Sequence, residues 1–271
     1  MSIAAEFSKI LATHAIQPHF QPIITADGCS IYAYEALSRG PANSVFHNPL
    51  PLFEYAKSTN RLFALERICR TKAIDQFTGQ NLQGRLFINV SPDTLLQPDH
   101  KRGLTRDLAS RFGIRPERVV IEITEHSPTH DYALMRQAVN HYRDEGFSIA
   151  LDDLGSGYSS LRLWSELQPE FVKIDRHFIC DIDQDSFKRH FVSSILGLAR
   201  LANSHVIAEG VETLQEFRVL HEIGVDFFQG YFFGKPSPVG QPALAAGMPA
   251  LEPAGQGTTA ANNQLPAQAS S

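Results

Sequence analysis

The sequence predicts an α/β protein, a modified (β/α)₈ barrel whose opening hairpin sets one strand antiparallel to the others. Three observations predict it. Short apolar runs alternate with helical stretches along most of the chain, the pattern of a parallel sheet with crossover helices. The first two apolar runs are joined by Ala26-Asp27-Gly28, a short connection that signals a hairpin. That alternation fits an open doubly wound sheet or a closed barrel. The third observation favours the barrel: eight candidate strands are present, with polar residues at their ends, while the GxGxxG fingerprint and the P-loop are absent.

The elements follow in order. Ala4–Thr13 reads as an amphipathic helix, with Glu6 and Lys9 inside its apolar pattern. His19–Ile24 and Ile31–Leu37 are extended. Leu52–Lys57 and Leu62–Phe77 are helical, and Leu86–Val90 is a strand. Arg106–Arg111 is a helix fragment before the strand Val119–Ile123. The helix Tyr132–Glu145 ends at Gly146, a C-cap signal. Ser148–Leu151 is a strand, and the helix Leu161–Leu167 stops before Pro169. Phe171–Ile174 is a strand and Ser186–Ala202 a long helix. His205–Ala208, the helix Leu214–Ile223 and a last strand Val225–Phe228 complete the alternation.

With 271 residues, 43% of them hydrophobic, the chain can bury one sizeable core. A net charge of −5 argues against coating polymeric nucleic acid or an anionic membrane, since both select basic surfaces. A phosphate ester remains a suitable ligand if metal ions or local Arg and Lys offset the charge. Cys29, Cys69 and Cys180 are widely spaced and form no CxxC, so reduced thiols in a cytoplasmic protein are expected. No apolar run reaches the length of a membrane span, and the N-terminus does not read as a signal peptide. Residues 1–240 are expected to form the barrel. Residues 241–271, rich in Ala, Gly, Gln, Asn, Ser and Thr, read as a disordered tail or linker, with a regulatory domain expected beyond residue 271.

In a parallel β/α barrel the reactive side chains lie where strands give way to loops. Collecting polar residues there gives Glu35, then Asn89, then Glu122, Thr124 and Glu125. Asp152-Asp153, Lys173 with Asp175, Glu209 with Glu212, and Gln229 follow. Five strands thus supply carboxylates, although strand interiors disfavour Asp and Glu. Any one of them alone would pass for a cap or a solvated loop residue. Converging on one mouth, they would repel each other unless cations lay between them, and oxygen-rich sites select hard ions such as Mg²⁺ or Mn²⁺. Adjacent Asp152 and Asp153 can serve two such ions. His126 and His130 are four apart, but Pro128 disfavours a helical metal pair, so both read as structural.

The blocks carrying these residues resemble those of the EAL-domain family. Glu35-Ala36-Leu37 with Arg39 is similar to its ExLxR signature. Phe20-Gln21-Pro22-Ile23, Asn89-Val90-Ser91-Pro92, Glu122-Ile123-Thr124-Glu125 and Asp152-Asp153-Leu154-Gly155-Ser156-Gly157 resemble further blocks in order. So do Val172-Lys173-Ile174-Asp175, Ala208-Glu209-Gly210-Val211-Glu212 and Gln229-Gly230-Tyr231. The resemblance implies a barrel with one antiparallel strand that hydrolyses cyclic di-GMP to linear pGpG with two Mg²⁺ or Mn²⁺. It implies that Glu35, Asn89, Glu122 and Asp152 bind one ion. Asp152 would bridge to a second, served by Asp153, Glu209 and Gln229. Lys173 would hydrogen-bond the attacking water, and Glu209 is a candidate base. Arg39 would reach a substrate phosphate, with Gln21 and Leu37 as further substrate contacts. Glu125 and Glu212 would support loops. Leu154 and Ser156 stand where many members carry Phe and Thr, which touches the loop and no ligand. The resemblance also admits a catalytically silent receptor for the dinucleotide, and it implies a homodimer paired through barrel helices.

Overall fold

In the computed structural model, the described residues are 2–27, 30–95, 103–123, 131–155 and 160–240. Eight strands close into one barrel in chain order: β1 (Gln17–Thr25), β2 (Ile31–Arg39), β3 (Arg85–Val90), β4 (Val119–Ile123), β5 (Ser148–Leu154), β6 (Phe171–Ile174), β7 (His205–Ala208) and β8 (Phe227–Gln229). From β2 to β8 every pairing is parallel, while β1 runs antiparallel to both β2 and β8. The predicted modified barrel is therefore the observed one, and β1 is its reversed strand.

Helices α1 (Ile3–Thr13), α2 (Pro49–Ser58) and α3 (Leu62–Gly79) precede β3. Then come α4 (Pro92–Leu95), α5 (Leu104–Arg111), α6 (Tyr132–Asp144), α7 (Ser160–Leu167), α8 (Arg176–Ile179), α9 (Ser186–Ala202) and α10 (Leu214–Ile223). Their starts are written locally. Asp131 and Asp185 accept backbone N–H groups at the starts of α6 and α9, and Thr213 with Glu216 forms a capping box on α10. α4 and α8 have four residues each and leave no helical period to read. The last strand begins two residues later than the apolar run suggests, because the Val225 N–H closes the end of α10 on the Leu220 carbonyl. The stretch predicted as a polar tail, residues 241–271, lies outside the described residues, as do Gly28 and Cys29.

The strand period of two organises the interior into layers. Ile23, Ala33, Phe87, Val120, Ala150, Phe171 and Ile207 pack together as one buried apolar set inside the barrel. Two residues beyond its six members on β2–β7 stand Glu35, Asn89, Glu122, Asp152, Lys173 and Glu209, and two beyond Phe227, which packs against the set from β8, stands Gln229. On the reversed β1 the step runs backward, so Gln21 joins this layer from Ile23 and pairs in register with Glu35. An apolar floor thus carries a polar mouth. A second apolar set lies between the strands and the surrounding helices, and a third joins α1, α2 and α3.

Gly230 follows β8 at a close crossing, where Val211 N–H donates to Gln229 O at 3.1 Å. A Cβ at Gly230 would drive into the Val211 backbone, which cannot rotate away. Gly230→Ala is expected to cost about 1–3 kcal/mol of stability. Urea denaturation measures it, and an unchanged midpoint would refute the close approach.

Candidate active site

Seven of the eight mouth residues meet around two hubs. Glu35 accepts Asn89 Nδ2 at 2.9 Å and Gln229 Nε2 at 2.7 Å. Lys173 Nζ lies 3.2 Å from Glu35 Oε2, 3.3 Å from Asp152 Oδ1 and 2.6 Å from Glu209 Oε1, and it also touches Glu122 Oε1. Lys173 is 1% exposed and Glu122 is fully buried. The eighth residue, Gln21, accepts Gln229 Nε2 at 3.2 Å and so extends the network.

Asp153 joins by a backbone device. Neighbouring residues on a strand point to opposite faces. Here Asp153 adopts φ 56°, and the β5–β6 register shifts between Leu151 and Leu154. The bulge re-aims the strand end, so that oxygens of Asp152, Asp153 and Glu209 lie within 4.8 Å of one another.

Charge does not balance within this layer. Four carboxylates against one ammonium leave three negative charges when all are ionised. Burial, reinforced by Glu35, Asp152 and Glu209, pushes the Glu122 carboxyl well above the usual range despite Lys173. Burial likewise raises Glu209 strongly and raises Asp152. Burial would raise Glu35 too, but the Lys173 ammonium and the Gln229 and Asn89 amides outweigh it and hold Glu35 low. Burial would lower Lys173, yet Asp152, Glu122, Glu209 and Glu35 together hold it well above its ordinary value.

These residues fit a pair of dications. Glu122 Oε2 and Gln229 Oε1 are buried without a hydrogen-bond partner, and Glu122 Oε1 has only the Lys173 ammonium against it, so acceptor capacity is left over in the mouth. The donor set is all oxygen apart from Lys173, which suits Mg²⁺ or Mn²⁺. Raised carboxyls hold protons that an ion must displace. Dication binding is therefore expected to release protons in the pH range where these raised carboxyls titrate, above the ordinary carboxylate range, with affinity falling as pH is lowered through it. Calorimetry in two buffers of different ionisation enthalpy reads the release; identical heats would contradict the raised carboxyls.

Beside the mouth opens a cavity of about 620 Å³, lined among others by Glu35, Leu37, Arg39, Phe53, Asn89 and Asp152. That volume suits a small-molecule ligand. Arg39 is half-buried there and donates to the Ser38 carbonyl at 3.1 Å. Gln21 is buried beside the mouth, but its side chain is engaged by protein: besides accepting from Gln229, it donates to Gly234 O at 3.2 Å.

The remaining predicted residues part company with this cluster. Asp175 caps α8, its carboxylate accepting His177 N–H at 2.9 Å, so four strands rather than five bring carboxylates together. Glu212 lies outside the mouth and pairs with Arg176 at 3.0 Å, bracing the loop after β7 against α8. Thr124, Glu125, His126, His130 and Ser156 lie outside the described residues. One residue the strand-end search passed over is Glu66 on α3. It is buried, lines the cavity, and accepts the Ser91 N–H just beyond Asn89. Its signal was a Glu66–Arg70 pair one turn apart on the apolar face formed by Leu65, Cys69 and Ala73.

Comparison with known proteins agrees with this geometry. The profile of the EAL domain matches residues 4–236. The chain is 30% identical over 251 residues to a Pseudomonas aeruginosa protein named bifunctional diguanylate cyclase/cyclic di-GMP phosphodiesterase MucR, covering 89% of this chain and 36% of that protein. It spans less than half the length of the curated relatives it matches. The crystal structure of a standalone EAL protein from Vibrio cholerae, with c-di-GMP bound, superposes with a TM-score of 0.74 at 32% identity, covering 82% of this chain and 92% of that one. Klebsiella pneumoniae BlrP1, in a manganese/cyclic di-GMP complex, gives 0.75 at 30% identity, covering 82% and 56%.

Proposed function

The chain belongs to the EAL domain family, and on that premise we propose that it is a metal-dependent phosphodiesterase that opens cyclic di-GMP to linear pGpG. One observation carries the reading: four carboxylates at the ends of four strands, three of them buried and Glu209 partly buried, surround a single lysine, with unpaired buried oxygens of Glu122 and Gln229 in the same layer. The named ligand and metal of the Vibrio and Klebsiella structures support it.

Glu35, Asn89, Glu122 and Asp152 would hold one divalent cation. Asp152 would be shared with a second, completed by Asp153, Glu209 and Gln229. When bound, Mg²⁺ or Mn²⁺ would lower the pKa of a water and neutralise the phosphoryl oxygens. The protein side chains do the rest. Lys173 holds the attacking water by hydrogen bonding and stabilises negative charge developing on the phosphoryl oxygens. Glu209, against Lys173 and beside Asp152, would be the base that takes a proton from that water, with bulk water as the alternative acceptor. Water attacks phosphorus in line with one ring P–O3′ bond; that bond breaks and the 3′ oxygen is protonated. Arg39 and Leu37 on the cavity wall receive the phosphate and an apolar part of the substrate.

Incubation with cyclic di-GMP and Mg²⁺, followed by chromatography, should yield pGpG that disappears with EDTA. Tight binding without metal-dependent product would instead make the protein a receptor. Arg39→Ala should raise KM about 10–100-fold with a smaller change in kcat, since a guanidinium–phosphate pair is charge-assisted and bidentate. Steady-state kinetics decide it, and an unchanged KM would remove Arg39 from substrate contact.

The same proposal includes a homodimer, supported by exposed Phe187, Leu198 and Leu201 on α9. Light scattering showing a monomer would oppose it. It also includes a cytoplasmic location for this segment, a division near residue 240 between barrel and polar tail, and a regulatory domain beyond residue 271; the greater length of the relatives supports a further domain without saying on which side it lies. Glu125 as a support for the loop after Asp153 rests on the resemblance alone. Among the described residues, no helix is long and apolar enough to cross a membrane.

A further inference from the structure

The segment leaving the barrel is fastened at three points. Gln21 Nε2 donates to Gly234 O at 3.2 Å. Phe20 and Ser237 exchange backbone hydrogen bonds of 2.7 and 3.1 Å, as one more antiparallel bridge on β1. At the outer end the Gln80 side chain clamps the chain with both its groups: Nε2 donates to Pro238 O, and Oε1 accepts Gly240 N–H, each at 2.9 Å. This clamp lies past residue 236, where the match to the family ends.

The inner fastening leads straight to the mouth. The Gln21 amide nitrogen donates outward, to Gly234 O, and the amide oxygen faces Gln229. That oxygen accepts the Gln229 amide at 3.2 Å, and the same amide nitrogen donates to Glu35 Oε2 at 2.7 Å. An amide group has distinct donor and acceptor ends. Anchoring the donor end of Gln21 thus orients Gln229, and Gln229 in turn orients Glu35. All three side chains are buried, so no bulk water replaces a lost link cheaply.

We propose that Gln21 is a positioning residue for the metal-binding carboxylate Glu35, and that the exit segment Gly234–Gly240, held by Gln80, is the anchor that sets it. This rests on the phosphodiesterase reading for the identity of the site, but its direct readout is metal affinity. Partners of metal ligands typically govern affinity about 10–100-fold. The exit segment is therefore a route by which tension on the chain after residue 240 alters ion binding inside the barrel.

The test is calorimetric titration of the full chain with Mn²⁺ alone, with KM and kcat measured beside it. Gln21→Met keeps the shape and removes both hydrogen bonds; it should weaken Mn²⁺ about tenfold while KM for cyclic di-GMP stays near that of the parent. Gln80→Ala, at the half-buried outer clamp, should weaken Mn²⁺ in the same direction with an unaltered thermal melt of the barrel. A raised KM for Gln21→Met with parental Mn²⁺ affinity would make Gln21 a substrate contact and overturn the proposal. Parental Mn²⁺ affinity in Gln80→Ala would overturn the part given to the exit segment. Failure of the parent to bind Mn²⁺ at all would instead sink the site reading on which this one stands.

Discussion

Glu35→Ala is expected to lower Mg²⁺-dependent hydrolysis of cyclic di-GMP by about 10³-fold or more, the scale set by removing a direct stabiliser of transition-state charge, while leaving the metal-free fold nearly as stable as the parent. The two halves of that expectation come from one electrostatic fact. Glu35 gathers Asn89, Gln229 and Lys173, so its loss scatters the donors that define one side of the mouth. Yet the mouth carries more negative charge than Lys173 can offset, and Glu35 is among the groups that push Glu122, Asp152 and Glu209 upward. Deleting it removes repulsion along with favourable hydrogen bonds. A structural residue this buried would show the reverse, a large fall in melting temperature with activity surviving in whatever stays folded. Asp152→Ala should behave in the same way. Thermal melts in EDTA, set beside product assays in Mg²⁺, separate the cases, and undiminished turnover by either variant would refute the assignment.

Why the mouth could be read before the fold was known lies in the strand period. Phe87 then Asn89, Val120 then Glu122, Ala150 then Asp152, and Phe171 then Lys173 each place an apolar residue two positions before a polar one. On a parallel barrel that spacing stacks one polar layer on one apolar layer. Gln21 obeys the same rule backward, because β1 is reversed. What the spacing could not show was set by other forces. Asp175 carries the same strand-end signature as its neighbours but is taken by the start of α8. Asp153 reaches the mouth only through a left-handed backbone and a register shift. Glu66 acts from a helix packed outside the barrel, where a strand-based search has no reason to look.

Lys173→Met is expected to melt well below the parent in EDTA and to recover much of that loss in Mn²⁺. Lys173 is the one cation inside the described mouth, and four carboxylates lie around its ammonium. Methionine fills similar space without charge. Removing one partner from a buried ionic cluster typically costs about 3–5 kcal/mol, which for a domain of this size is a fall on the order of 10 °C. Dications supply the missing charge, so saturating Mn²⁺ should raise the variant's melting temperature by more than it raises the parent's. Turnover should not return with stability. The ions can neutralise carboxylates, but they cannot take over the role proposed for the ammonium, holding the attacking water, and removing such a group costs about 10²–10³-fold. Equal melting temperatures in EDTA would show that the carboxylates tolerate one another by protonation alone. Equal Mn²⁺ stabilisation of both proteins would show that lysine and metal do not share the task of neutralising the mouth.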